Sequence, residues 1–148
     1  MPAVRVIKTT VRAPEESFSF ACRIHTASNR KEFLIDLAFY QQAMGVPAGV
    51  HHELELLDES VLKHKHRQRI HVRTSALNGR KFVCYPLRIA DIGEVFRVFS
   101  IWSLGTTFTM VTGRDFQEIY NGDRESFVRE METTYGIEPS IIILTDKP

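Results

Sequence analysis

The stretch IHVRTSALNGRKFVCYPL, residues 70–87, decides how the chain is read. Asn78-Gly79 sits between two runs in which apolar and polar residues alternate. Both central positions of a two-residue type I′ turn need positive φ, and Asn-Gly tolerates it best. With Asn78-Gly79 as the turn, Leu77 faces Arg80, Thr74 meets Val83, Val72 meets Tyr85 and Ile70 meets Leu87. Those last six residues share one face, so turn chemistry and cross-strand pairing agree on an antiparallel hairpin. Pro86 cannot donate to a ladder, which makes its side of the strand an edge or a bulge.

Strand periodicity extends outward from this hairpin over residues 51–112. A second hairpin is expected at Leu104-Gly105-Thr106-Thr107, with Phe99, Ile101, Phe108 and Met110 on one face and Ser100, Trp102 and Thr109 on the other. A third, at Asp58-Glu59-Ser60, would join residues 50–57 to 61–74, the rival reading being a helix over 53–65. Upstream, 4–11 is rich in β-branched residues, Ala13-Pro14-Glu15-Glu16 breaks it, and Phe18, Phe20, Cys22 and Ile24 recur at period two. Ser28 then caps a helix over 29–44 that Gly45 stops. Downstream, 114–120 reads as a short helical turn. Asp123 caps a helix to Tyr135, with Phe127, Val128 and Met131 inward and Gly136 as its stop. Residues 140–144 are apolar and β-branched, which suits a buried strand. The expected fold is α+β: a mainly antiparallel sheet of about six to eight strands, two main helices (about 29–44 and 123–135) and a C-terminal strand. Without repeat, low-complexity run or linker, residues 1–148 read as a single domain.

Composition bounds the function. At 43% hydrophobic and 25% charged, the chain resembles a globular domain, not a disordered one. A net charge of +1 attracts neither DNA nor an anionic membrane, so any such attraction comes from how charge is distributed. Cys22 and Cys84 lie far apart, in no metal-binding spacing, and read as structural thiols. Arg5 and Lys8 interrupt any signal-like apolar core at the N-terminus. The longest nearly uncharged run, 98–112, is 15 residues, short of the roughly 20 that a spanning helix needs. No membrane is expected, and a reduced, cytoplasmic location is.

One segment departs from the average. Between Lys63 and Lys81 there are seven Lys or Arg residues, three His and no acid. In an extended strand, Lys63, Lys65, Arg67, Arg69, His71 and Arg73 would point to one side, about 6.5–7 Å apart, near the spacing of phosphates along a nucleic-acid strand. Such a row repels itself and calls for an anionic partner or open water. With Asp58-Glu59-Ser60 as a turn, Glu55 faces Lys63 and Glu53 faces Lys65, which leaves Arg67, Arg69 and Arg73 uncompensated. Residues 113–148 carry eight acids against four bases, so the basic row of one subunit suits the acidic end of another. Arg80, Lys81 and Trp102 complete the expected partner-binding set. Trp102 is included because its mixed hairpin face suits half burial at an interface.

Chemistry is harder to find. A metal site from His52, His64 and His66 follows only if 50–57 pairs with 61–74, and the surrounding cations disfavour a divalent ion. No metal and no cofactor are expected. Thr112-Gly113-Arg114-Asp115 offers N–H groups and an arginine before a short helix, with Asp115 opposing an anion. No phosphate-binding loop, nucleophile elbow or metalloprotease motif occurs, so catalysis is not expected. The expected function is therefore a non-catalytic protein-binding or self-assembling module that uses the cationic face at 63–73. The alternatives are a nucleic-acid-binding domain, RNA or DNA, on the same face, or a small-molecule site between the sheet and helix 29–44.

Overall fold

β-Branched and aromatic residues at period two set up the first hairpin, and the rest of the sheet grows from it. The computed structural model describes residues 5–27, 51–75, 78–85 and 89–146; the expected helix at 29–44 lies outside them. Strand β1 (Arg5–Arg12) pairs antiparallel with β2 (Ser17–Ala27), Ile7 facing Cys22 and Thr9 facing Phe20. The turn between them is held by the Ala13 N–H donating to the Glu16 carbonyl at 2.8 Å. Next to β2 runs β3 (His51–Leu56), then β5 (Lys81–Val83), then β4 (Val72–Thr74). On the far side of β1 lie β6 (Glu138–Pro139) and β7 (Ile143–Thr145). The fold is α+β, with one antiparallel sheet of seven strands and, among the described residues, two α-helices.

The hairpin at Asn78-Gly79 forms, with its register moved by two residues. Thr74 pairs with Lys81, Arg73 with Phe82 and Val72 with Val83. The loop closes where the Ser75 N–H donates to the Arg80 carbonyl and the Gly79 N–H donates back to Ser75. Gly79 takes the positive φ, 72°, and the Asn78 side chain accepts from the Arg80 N–H at 2.9 Å. A slip of two keeps each side chain on its expected face and changes only which partner it meets.

The larger departure is at 92–112. Instead of a hairpin, these residues form helix α1 (Ile92–Thr112). Asp91 caps it, accepting from the Glu94 N–H at 2.9 Å, and Gly113, at φ 78°, stops it. The helix is buried on almost every side, so it has no polar stripe from which its period can be read. Three of its Ser and Thr residues, which favour strands or turns elsewhere, turn their hydroxyls onto the helix's own carbonyls, while the buried Thr106 and Thr109 hydroxyls have no partner among the described residues. Ser103 donates to Ser100, Thr107 to Ser103 and Thr112 to Phe108, at 3.1, 2.9 and 2.8 Å. Leu104-Gly105 is thus no turn. A Cβ on Gly105 would lie 2.4 Å from Cγ of Phe116, so glycine is there to let that ring reach the helix backbone.

α1 lies over the sheet face that carries Ile7, Val11, Phe20, Cys22, Leu54 and Leu56, and the Trp102 ring meets Phe20 edge-on at 5.4 Å. Helix α2 (Arg124–Tyr135) follows as expected, with Asp123 accepting from the Glu125 and Ser126 N–H groups and Gly136 closing it at φ 65°. Phe127 and Met131 are its buried residues.

Residues 140–144 form no buried strand. The register against β1 slips by one residue between β6 and β7, and a one-residue bulge reverses which side chains face out. Ser140 spans the break: its N–H and its hydroxyl both donate to the Thr10 carbonyl, at 3.0 and 2.6 Å. Ile141 is consequently 83% exposed and Ile143 58%. Pro139 is tolerated because it lies at the sheet edge.

If Gly105 is a packing glycine, Gly105→Ala should destabilise the fold by about 1–3 kcal/mol, the cost of overpacking a core. The loss should shrink in a Phe116→Leu background, with a coupling of about 1 kcal/mol in a urea-denaturation double-mutant cycle. Additive effects would contradict the contact.

Candidate functional site

The basic segment begins where β3 ends. Asp58 accepts from the Ser60 N–H at 2.9 Å and caps a 3₁₀ turn (Glu59–Lys63), and a second 3₁₀ turn (Arg67–Arg69) follows. Val61 and Ile70 are buried and pin the two ends to the core. The expected strand over 61–74 is therefore reduced to Val72–Thr74. The cause is lack of an edge. β3 is already bonded to β2 on one side and β5 on the other, so 61–70 has no ladder to join. Without an extended backbone the even spacing of the cations is lost, and with it the match to successive phosphates.

The predicted site residues separate into two groups. Lys63, Lys65 and Arg67 are exposed, and among the described residues no carboxylate lies within ion-pair distance of any of them. The rest are engaged by the fold. Arg69 donates through Nη1 to the Gly113 carbonyl at the C-terminus of α1, where a cation favourably meets the negative end of the helix dipole. His71 donates through Nε2 to Oδ1 of Asp115 at 2.8 Å. Arg73 Nε lies 3.1 Å from Cys84 Sγ. Arg80 Nε stands 3.6 Å from Oε2 of Glu55, a carboxylate that also lies 2.7 Å from His25 Nε2 and 3.9 Å from Arg23 Nη1. Lys81 Nζ donates to Thr74 Oγ1 at 2.7 Å. Glu53 and Glu55 face β2 across the sheet and do not oppose Lys65 and Lys63.

Trp102 is the clearest relocation. It is a helix residue, 3% exposed, whose indole Nε1–H donates to the His71 carbonyl at 3.0 Å. It cannot present its face to a macromolecular partner.

The three histidines do not converge. His52 pairs with Thr26 in β2, and its Nδ1 lies 2.8 Å from Oγ1 of that threonine. His64 and His66 stay together, ring centroids 5.5 Å apart, with the His66 N–H donating to His64 Nδ1. Among the described residues no group of three potential ligands could hold a metal ion. The His66 ring lies over Gly113, where a Cβ would come within 2.9 Å of it. Burial, with Lys65, His64 and Arg69 nearby, pushes the His66 pKa down, towards the neutral ring. His52 is likewise lowered, by burial first, although Asp91 opposes.

Gly113 ends α1, and Asp115 then caps the short helical turn expected after it, a 3₁₀ turn (Phe116–Glu118), by accepting from the Gln117 N–H at 3.0 Å. Arg114 pairs with Glu118 at 3.3 Å, and Asp115 opposes an anion there as the sequence indicates. Both cysteines are free thiols, and burial pushes the Cys22 pKa strongly up, with Glu55 adding to it. No helix among the described residues is long and apolar enough to cross a membrane.

Asp115 is where the basic segment meets the C-terminal part of the chain. Burial raises its pKa, but the His71 hydrogen bond, the Gln117 N–H and nearby Arg69 outweigh that and leave it below the ordinary aspartate value of 3.8. A depressed carboxylate stabilises the fold above its unfolded pKa and loses that contribution as pH falls through its folded value. Asp115→Asn, which keeps a side-chain oxygen for Gln117, should therefore cost about 1 kcal/mol in urea denaturation at neutral pH. The difference from wild type should vanish as pH drops below the aspartate range.

No protein-family model matches the chain, and comparison with curated proteins and with solved structures found no match either.

Proposed function

We propose that this protein is a non-catalytic binding module that self-associates, setting the cationic turn at 63–67 of one copy against the acidic C-terminal part of another. The observation that supports it is a matched excess of charge. Lys63, Lys65 and Arg67 project from turns anchored at Val61 and Ile70, with no carboxylate within ion-pair distance among the described residues. The opposite surplus lies after α1. There, Asp115, Glu118, Glu138 and Asp146 are paired with His71, Arg114, Arg12 and Arg5, and Asp123 caps α2. Glu125, Glu130 and Glu132 on α2 have no ion pair among the described residues, and they outnumber its two cations, Arg129 and an Arg124 that donates to Ser100. A two-fold pair makes such a contact twice. No exposed aromatic residue lies among 63–71 for stacking bases, which favours a protein over a nucleic acid as partner.

Sedimentation equilibrium tests this reading. The chain should dimerise at low salt and dissociate by about 0.5 M salt, where screening is effective within a few ångströms. The triple variant Lys63→Ser, Lys65→Ser, Arg67→Ser should weaken the dimer at least about tenfold, or 1.4 kcal/mol. Chains carrying Lys63→Glu and Lys65→Glu should pair again when mixed with chains carrying Glu125→Lys and Glu132→Lys. A monomer at every salt concentration would overturn the proposal. So would a salt-resistant dimer broken by Ile141→Lys, which places the contact at the sheet edge. Salt-sensitive binding of an RNA or DNA oligonucleotide through the same three cations would reassign the surface to nucleic acid.

A further inference from the structure

On another part of the molecule, Trp102, Phe116 and Tyr120, with Tyr85, line a cavity of ≈ 360 Å³. It lies between the end of β5, one stripe of α1 (Arg97, Val98, Ile101, Trp102) and the segment carrying Phe116 and Tyr120. Residues 97 and 101, like 98 and 102, are one helical turn apart and so share a face. Each of the first three rings is fixed by a contact outside the cavity. Trp102 is held by its bond to the His71 carbonyl. Phe116 is seated against Gly105 and meets His71 edge-on at 5.0 Å. Tyr120 meets Phe127 edge-on at 5.2 Å. A volume in the range of small-molecule sites, roughly 300–1,000 Å³, with mainly apolar walls and a few polar groups is the usual form of a ligand pocket.

The polar groups indicate the ligand's other end. Arg97, Gln117 and the tyrosines at 85 and 120 line the cavity. Arg97 holds Glu94 through Nη2 alone, at 3.0 and 2.9 Å, and its Nη1 and Nε make no hydrogen bond among the described residues. A guanidinium has five N–H donors, so several remain for a second acceptor. Tyr85 and Tyr120 line the same cavity as Arg97, and a phenol hydroxyl can donate to the same acceptor.

We propose that this cavity binds a small amphipathic carboxylate, its apolar body between Trp102, Ile101 and Phe116 and its acid group on Arg97. Glu94 would then be a competitor for the guanidinium and would hold affinity down, so the site is tuned for reversible binding. The proposal is independent of self-association, since none of the residues in the cationic turn or on α2 lines the cavity.

Trp102 is the chain's only tryptophan, so its emission reports occupancy directly. The probe is anilinonaphthalene sulfonate, an aromatic anion, with 4-phenylbutyrate and neutral 4-phenylbutanol as competitors on the full chain. One probe per chain should bind, quenching Trp102, and phenylbutyrate should displace it at least about fivefold more effectively than phenylbutanol, a modest charge-assisted preference. Arg97→Gln should remove that preference without changing phenylbutanol, and Glu94→Gln should strengthen phenylbutyrate. Ile101→Phe, which fills the cavity, should weaken the probe at least about tenfold. Probe binding that leaves Trp102 emission unchanged would overturn the proposal, as would equal displacement by acid and alcohol. Should Ile101→Phe fail to fold, the comparison at the half-exposed Arg97 still decides.

Discussion

Everything else in the structure depends on α1 being almost wholly surrounded. Phe99, Leu104 and Phe108 are fully buried, and the helix meets β1, β3, β6 and α2. A helix without charge between Val98 and Gly113 has no face to give to water. It is stable only with the sheet on one side and other elements on the rest. Its hydroxyls are tolerable there because the helix's own carbonyls accept from several of them. The close approach of Phe116 at Gly105 then fixes where the chain goes on leaving the helix, and with it the position of Asp115.

That placement explains what much of the basic segment is for. Arg69 answers the carbonyl end of α1, the His66 ring covers Gly113, and His71 holds Asp115. A run that looks like one cationic surface is two things: a set of groups completing the C-terminus of a buried helix, and a short exposed remainder at Lys63, Lys65 and Arg67. Only the remainder is available to a partner. On the other sheet face, Glu55 draws Arg23, His25 and Arg80 around itself, so part of the positive charge there is paired internally.

The same helix creates the cavity. One turn of α1 supplies Arg97, Val98, Ile101 and Trp102 to a single wall, and the aromatic residues opposite belong to the segment that Gly105 lets close over it. Arg97, Tyr85 and Tyr120 carry no motif, and reading 92–112 as strands placed Trp102 on a hairpin surface. The signal that would have found the helix is its start: Asp91 as cap with Glu94 three residues on. The β-branched and aromatic residues that follow are common in strands and equally common in buried helices, so their pattern hides it.

From residues alone come β1 and β2, whose period-two pattern needs no tertiary information, the turn at Asn78-Gly79, and α2, bracketed by Asp123 and Gly136. Each is specified by local sterics or by capping, which act over a few residues. Arg67 was legible as an uncompensated cation, whereas Lys63 and Lys65 read as facing Glu55 and Glu53 and are exposed because those carboxylates face β2. Tertiary structure decided the rest: that 61–70 coils because β3 has no free edge, that 98–112 is helix because it can be enclosed, and that Ile141 and Ile143 turn outward at a bulge. These depend on which strand edges and which apolar surfaces are already occupied, and occupancy is a property of the assembled chain, not of any local window within it.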